Sequence, residues 1–100
     1  MTGSGCSRMS DPWLRIEVLD GPVPARDWRS AHAEALVTAA IADRAVRWHW
    51  RESGRGVVLE VAFRTEQIRD EFRDQLAVKA ALDAVPDPRH GLNVVPGGGD

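Results

Sequence analysis

A single cysteine, Cys6, stands in the chain of 100 residues, so no intrachain disulfide can staple the fold. It sits in a Gly/Ser-rich leader with no lipidation motif beside it, and Met9 offers an alternative start that would make it dispensable. Tyrosine is absent, and Lys79 is the sole lysine; arginine supplies the rest of the positive charge. No apolar run approaches the roughly 20 residues that span a bilayer, which excludes a membrane helix. Neither sign of charge dominates. Thirteen Lys and Arg face fifteen Asp and Glu, a formal balance of -2 that gives a polyanion nothing to seek. The opening MTGSGCSRMSDP lacks the apolar stretch of a secretory signal, so the cytoplasm is the expected location. Walker, dinucleotide and nucleophile-elbow sequences are missing. Gly97-Gly98-Gly99 has no helix after it to hold a phosphate. No cofactor is therefore expected.

What is there fits one soluble domain. Hydrophobic residues make up 43% and charged residues 28%, ordinary values for a chain large enough to bury its own core. The most informative stretch is Val46 to Phe63, VRWHWRESGRGVVLEVAF. Val46, Trp48 and Trp50 alternate with Arg47, His49 and Arg51, and Val57, Leu59, Val61 and Phe63 alternate with Val58, Glu60 and Ala62. Period two of this kind marks strands with one buried face. Gly54-Arg55 between them predicts a hairpin turn with glycine at positive φ in its first central position. That turn pairs Trp50 with Leu59, Trp48 with Val61 and Val46 with Phe63. Outside, His49 falls opposite Glu60, Arg51 opposite Val58 and Arg47 opposite Ala62. A slip of one residue would set tryptophans against the wrong face, so the register is strongly specified.

The flanking segments complete the plan. WLRIEVL (Trp13–Leu19) reads as a first strand, ended by Asp20-Gly21-Pro22. An alanine-rich helix should follow, from about Ala25–Asp27 to Asp43, with Trp28, Ala31, His32, Ala35, Leu36, Ala39 and Ala42 on its inner face. Val37 and Ile41, one turn apart, fall on the opposite side and suggest a contact patch. Thr65 is a natural N-cap for a second helix, expected to run unbroken from Glu66 to about Val85, with Ile68, Phe72, Leu76 and Ala80 as its apolar stripe. Pro86 and Pro88 stop it, and Gly91–Val95 is a last short strand. The domain thus spans 13–95, with tails at 1–12 and 96–100.

The order β-α-β-β-α-β is the split βαβ, ferredoxin-like plan. Right-handed crossovers put both helices on one face of a four-stranded antiparallel sheet of order 4-1-3-2. The covered face would carry Leu14, Ile16, Val18, Val46, Trp48, Trp50, Val57, Leu59, Val61, Phe63, Leu92 and Val94. The open face would carry Trp13, Arg15, Glu17, Leu19, Arg47, His49, Arg51, Val58, Glu60, Ala62, Asn93 and Val95. A face mixing charge and apolar groups in this way can be solvated, or it can meet its counterpart on a second subunit.

Chemistry-bearing residues are sparse. His49 and Glu60 are the one pair resembling an acid–base couple, since a carboxylate beside an imidazole orients it. The simpler account is a cross-strand surface pair. His32 lies beside Trp28 and reads as a partly buried side chain, and His90 falls in a loop. None of the three histidines has metal-ligand spacing, so no metal is expected. Trp48 and Trp50 are most simply core, but with His32 they could wall a pocket between the sheet and the first helix. RNA recognition on this topology stacks bases on aromatics of strands one and three. Strand three offers Val58, Glu60 and Ala62 instead and only Trp13 could stack, so a nucleic-acid accessory protein ranks last among the readings.

The element order over 13–95 resembles the ferredoxin-like superfold, and ALDAVPDPRHGLNVVPGGG (Ala81–Gly99) resembles the ending of short uncharacterised actinobacterial proteins, in keeping with the arginine- and alanine-rich composition. That superfold hosts many functions, so the resemblance implies a fold and no catalytic residue. The first expectation is a small non-enzymatic interaction module, self-associating as a homodimer or binding another protein. Its contact surface is the open sheet face (Arg15, Glu17, Arg47, His49, Arg51, Glu60) or the Val37/Ile41 patch. The alternative is a small-molecule-binding protein or enzyme of the dimeric α+β barrel kind, with its pocket at His32, Trp48 and Trp50.

Overall fold

Alternation along the strands becomes alternation of burial in the structure, a computed structural model that describes residues 11–97. Strand β1 (Trp13–Leu19) buries Leu14, Ile16 and Val18 and leaves its odd-numbered residues half-buried. Helix α1 (Ala25–Ala42) follows, then β2 (Arg47–Ser53), β3 (Gly56–Ala62), α2 (Glu66–Asp74), α3 (Leu76–Asp83) and β4 (Leu92–Gly97). The strands form one antiparallel sheet in the order β2-β3-β1-β4, the ferredoxin-like arrangement that the sequence predicts. The hairpin register is also the predicted one: Trp50 faces Leu59, Trp48 faces Val61, His49 faces Glu60 and Arg51 faces Val58. Val46 continues it through its N–H, which donates to the Ala62 carbonyl at 2.8 Å. Of the expected tails at 1–12 and 96–100, residues 1–10 and 98–100 lie outside the described residues, while Pro96 and Gly97 are not tail but continue β4 beside Leu14 and Trp13. Pro12 is buried, and its carbonyl accepts from the Phe63 N–H at 2.8 Å.

The hairpin turn departs from expectation in one respect. Gly54 lies outside the positive-φ region. The Ser53 hydroxyl accepts from the Arg55 N–H and donates to the Gly56 carbonyl, both at 3.3 Å, so a side chain bridges the turn and glycine's extra freedom is not used.

Helix α1 starts without a capping side chain of its own, because Pro24 occupies the N-cap. Asp20 takes that role, accepting from the Ala25 N–H at 2.6 Å and setting a carboxylate at the positive end of the helix. At the other end the Arg44 N–H donates to the Ile41 carbonyl and the Ala45 N–H to the Ala40 carbonyl, each at 2.9 Å. This is the Schellman ending, and it holds Arg44 at φ 59°, where glycine is the usual occupant and a side chain costs about 1 kcal/mol.

The expected second helix is two helices. Gln75, at ψ 141°, breaks the chain between α2 and α3. Thr65 caps α2 as predicted, accepting from the Ile68 N–H at 3.1 Å. The break resets the helical phase. Phe72 is buried in α2, but in α3 the buried residues are Val78 and Ala81, followed by Val85, while Leu76 is 85% exposed and Ala80 is exposed. Gln75 is held by two bonds from its Nε2, to the Ala39 carbonyl at 3.0 Å and to Asp43 Oδ2 at 2.6 Å. These bonds to α1 compensate the backbone bonds that the break removes.

The core joins Leu14, Ile16, Val18, Val57, Leu59, Val61 and Phe63 of the sheet side to Trp28, Leu36, Phe72 and Val78. Phe63 and Phe72 pack with ring centroids 5.1 Å apart. Trp28 is 3% exposed and donates its Nε1 proton to the Ala81 carbonyl at 2.8 Å, tying α1 to α3. Two sheet-side residues expected in the core are not there: Val46 is 43% exposed and Trp48 39%. The cause is topological. β2 is an edge strand, and α1 packs over β3 and against α3, leaving the outer margin of the inward face uncovered. Ala31, Ala35 and Ala42, also expected inside, are exposed as well; Ala35 and Ala42 face the α1–α3 groove. Conversely Val58 and Ala62, expected on the open face, are buried on it. Their strand is central, and in register they are flanked by Glu17 and Arg51 and by Trp13 and Arg47.

Candidate functional site

The open face is a grid fixed by the ladder. Across the strands from β4 to β2, one row reads Gly97, Trp13, Ala62, Arg47; the next reads Val95, Arg15, Glu60, His49; the third reads Asn93, Glu17, Val58, Arg51. Residues in one row point the same way, so every member expected on the open face is brought to it. A groove of about 470 Å3 opens there, lined by Trp13, Arg47, Trp48, His49, Glu60, Val61 and Ala62. Its volume falls in the range of small-molecule sites. Trp48 belongs to the other face of the sheet but reaches the groove at the edge strand, where no helix covers it.

The polar groups of the face are paired differently from expectation. Glu60 stands opposite His49, but its Oε2 accepts from the Arg51 guanidinium at 3.2 Å. The expected His49–Glu60 couple is therefore not formed. A guanidinium one row along offers the carboxylate a charged, planar donor with forked N–H groups. His49 is exposed and lines the groove. Arg15, also opposite Glu60, is left without a carboxylate among the described residues. Its Nε is the one buried side-chain polar atom among them that lacks a hydrogen-bond partner. Leaving such a donor unmade costs about 1–3 kcal/mol, so the middle of this face is short of an acceptor. Trp13 approaches β4 closely enough that a side chain at Gly97 would collide with its indole.

The second expected pocket, at His32, Trp48 and Trp50, is not one constellation. Trp28 fills the seam instead, with its ring centroid 5.9 Å from that of His32 and 6.2 Å, edge-on, from that of Trp50. Arg29 lies 4.9 Å over the Trp50 ring and pairs with Glu52 at 3.7 Å. Trp48 shares the face of Trp50 but stands 39% exposed at the sheet's edge, away from that seam. The Val37/Ile41 patch is reduced as well: Val37 is half-buried, and Ile41 alone stands out, at 58% exposure.

Among the described residues, no three His, Cys, Asp or Glu side chains cluster closely enough to hold a metal ion, and no helix is long and apolar enough to cross a membrane. His90 belongs to its loop, where its N–H donates to Asp87 Oδ1 at 3.2 Å.

Comparison with known proteins gives a fold and not a family. No family model matches the chain, and no curated protein matches it significantly. Solved structures do match. A dimeric ferredoxin-like protein of unknown function from Thermobifida fusca superimposes with a TM-score of 0.62 at 13% identity, over 89% of this chain and 92% of that one. A protein from Nitrosomonas europaea, provisionally described as an antibiotic biosynthesis monooxygenase, gives 0.61 at 16% identity, over 91% of each chain. SnoaB, a cofactor-independent oxygenase from Streptomyces nogalater, gives 0.60 at 12% identity, over 86% of each. At these identities the likeness speaks for the α+β fold alone.

Proposed function

We propose that this chain is a self-associating α+β subunit that binds a small planar organic molecule in the groove of its open sheet face, with a second copy as the roof. The observation that carries this reading is the groove itself. Trp13 offers an indole for stacking, Trp48 borders the groove at the sheet's edge, and Arg47 and His49 offer polar contacts to a ring substituent. The orphaned Arg15 Nε supports the second copy, because a carboxylate brought across a two-fold axis would supply the missing acceptor. Neighbours of the same fold include a dimeric protein and a cofactor-independent oxygenase, which favours a ligand-binding role over a purely structural contact.

The test has two arms. Sedimentation equilibrium at tens of micromolar should give twice the chain mass. Val95→Glu, a change at an exposed position beside Arg15, should return the monomer without lowering its melting temperature. Calorimetric titration with planar aromatic acids and phenols should show saturable binding, weakened at least tenfold in H49A or W48A. A strict monomer sinks the self-association, and a silent titration sinks the ligand.

A second reading makes that molecule a substrate, and the oxygenase among the fold neighbours favours it. On this chain His49 is the group placed to take a proton at the groove. Deuterium exchange at an acidic carbon of a bound ligand, followed by NMR and lost in H49A, is the expected sign. Equal exchange in H49A removes the reading.

A further inference from the structure

A second cavity lies at the base of the hairpin, between the connection from α1 to β2 and the start of α2. It has a volume of about 520 Å3 and is lined by Arg44, Ala45, Val46, Arg64 and Ile68. We propose that it binds an amphiphilic organic anion, a carboxylate or phosphate monoester head on a short apolar body.

The charges argue for the head. Both arginines are exposed, and neither has an ion-pair or side-chain hydrogen-bond partner among the described residues. The lining holds no carboxylate, in a chain whose acids outnumber its bases. The nearest acid in sequence to Arg44, Asp43, accepts from the Gln75 amide at 2.6 Å and makes no ion pair with Arg44. Two guanidiniums brought together without a counter-charge repel each other, and an anion between them turns that repulsion into paired, fork-like hydrogen bonds.

The floor argues for the body. Ala45 and Ile68 are half-buried and packed on the core, and Val46 stands 43% exposed beside them. The apolar interior is thus continuous with an open apolar surface at the foot of two cations. A small inorganic anion would satisfy the arginines and leave Val46 wet; an alkyl or aryl group would cover it.

The backbone gives a separate reason to single out Arg44. It occupies the left-handed position of the Schellman ending, where glycine is the favourable residue. If the side chain did nothing, Arg44→Gly would simply improve the helix end. The proposal therefore expects two changes of opposite sign from one substitution: a higher melting temperature and a lost ligand.

Isothermal titration of the full chain, below the micelle concentration of each probe, tests this with octanoate, octyl phosphate, octanol and inorganic phosphate. One or both organic anions should bind saturably at one site with a submillimolar Kd, and which is tighter identifies the head. Octanol and inorganic phosphate should be at least tenfold weaker. R44G should weaken the anion at least tenfold while raising the melting temperature. R64Q, a change at an exposed loop position, should weaken it as much. H49A should leave it unaltered, which separates this site from the sheet groove. Octanol binding as tightly as octanoate, undiminished affinity in R44G or R64Q, loss of affinity in H49A, or no binding by either anion overturns the proposal.

Discussion

Trp28 and Trp48 lie on facing elements, yet Phe should be tolerated at one and not at the other. Trp28→Phe removes the indole N–H that donates to the Ala81 carbonyl at 2.8 Å in the buried seam between α1 and α3. That carbonyl keeps a second donor, the Ala84 N–H at 3.2 Å, so losing the bond costs near the low end of its range, about 1 kcal/mol. The smaller ring leaves a void of roughly 40 Å3, worth about 1 kcal/mol at ~24 cal/mol per Å3. Weakening the edge-on contact with Trp50 adds about 0.5 kcal/mol. The sum, about 2–3 kcal/mol, should lower the melting temperature by roughly 10–20 °C in a domain of this size. Trp48→Phe, at a ring already 39% exposed, should cost less than about 1 kcal/mol. Urea unfolding followed by far-UV circular dichroism measures both, because tryptophan emission would change with the substitutions themselves. If W48F costs as much as W28F, or W28F costs under about 0.5 kcal/mol, the account of which tryptophan holds the layers together is wrong.

Two further substitutions probe the joints of the fold. Gln75→Ala deletes both bonds that fasten the α2–α3 break to α1 and should cost about 1–2 kcal/mol, with faster hydrogen exchange at the start of α3. Unchanged exchange there would mean that the break is held by packing alone. Gly56→Ala would drive a methyl into the Val18 carbonyl and to 2.8 Å from Leu19 Cα, so β1 and β3 must part at that end. A loss of at least about 2 kcal/mol in denaturant is expected, and a neutral result would deny the Leu19–Gly56 pairing.

The hairpin was legible because one alternating pattern fixed both the face and the register of seven successive pairs. Coverage was not legible from alternation, which says which way Trp48 points and nothing of what lies above it. The strand order did contain the signal, since it places β2 at an edge. The break at Gln75 was hidden by coincidence. Ile68, Phe72, Leu76 and Ala80 step by four without interruption, and glutamine is a good helix former. A second stripe, Val78, Ala81 and Val85, runs out of phase with the first, and two stripes out of phase on one helical segment require a break between them. The groove's polar members were readable singly from the outer face of the strands. The choice of Glu60 between Arg51, Arg15 and His49 was not, because it turns on side-chain conformation rather than register. Arg44 and Arg64 went unremarked since they lie about 20 residues apart and meet only through the fold.

The strand order also sets a timetable for the chain as it is made. β2 and β3 are neighbours in sequence and can close a hairpin as soon as both have emerged. β1 is synthesised earlier, yet its partners arrive about 40 residues later in β3 and about 80 residues later in β4. At typical elongation rates the interval to β3 alone is roughly 2–10 s. Through that interval Leu14, Ile16 and Val18 have no sheet to join. Arg15 and Glu17, alternating with them, interrupt the apolar run with charge. The first strand made is therefore the last to gain both of its neighbours.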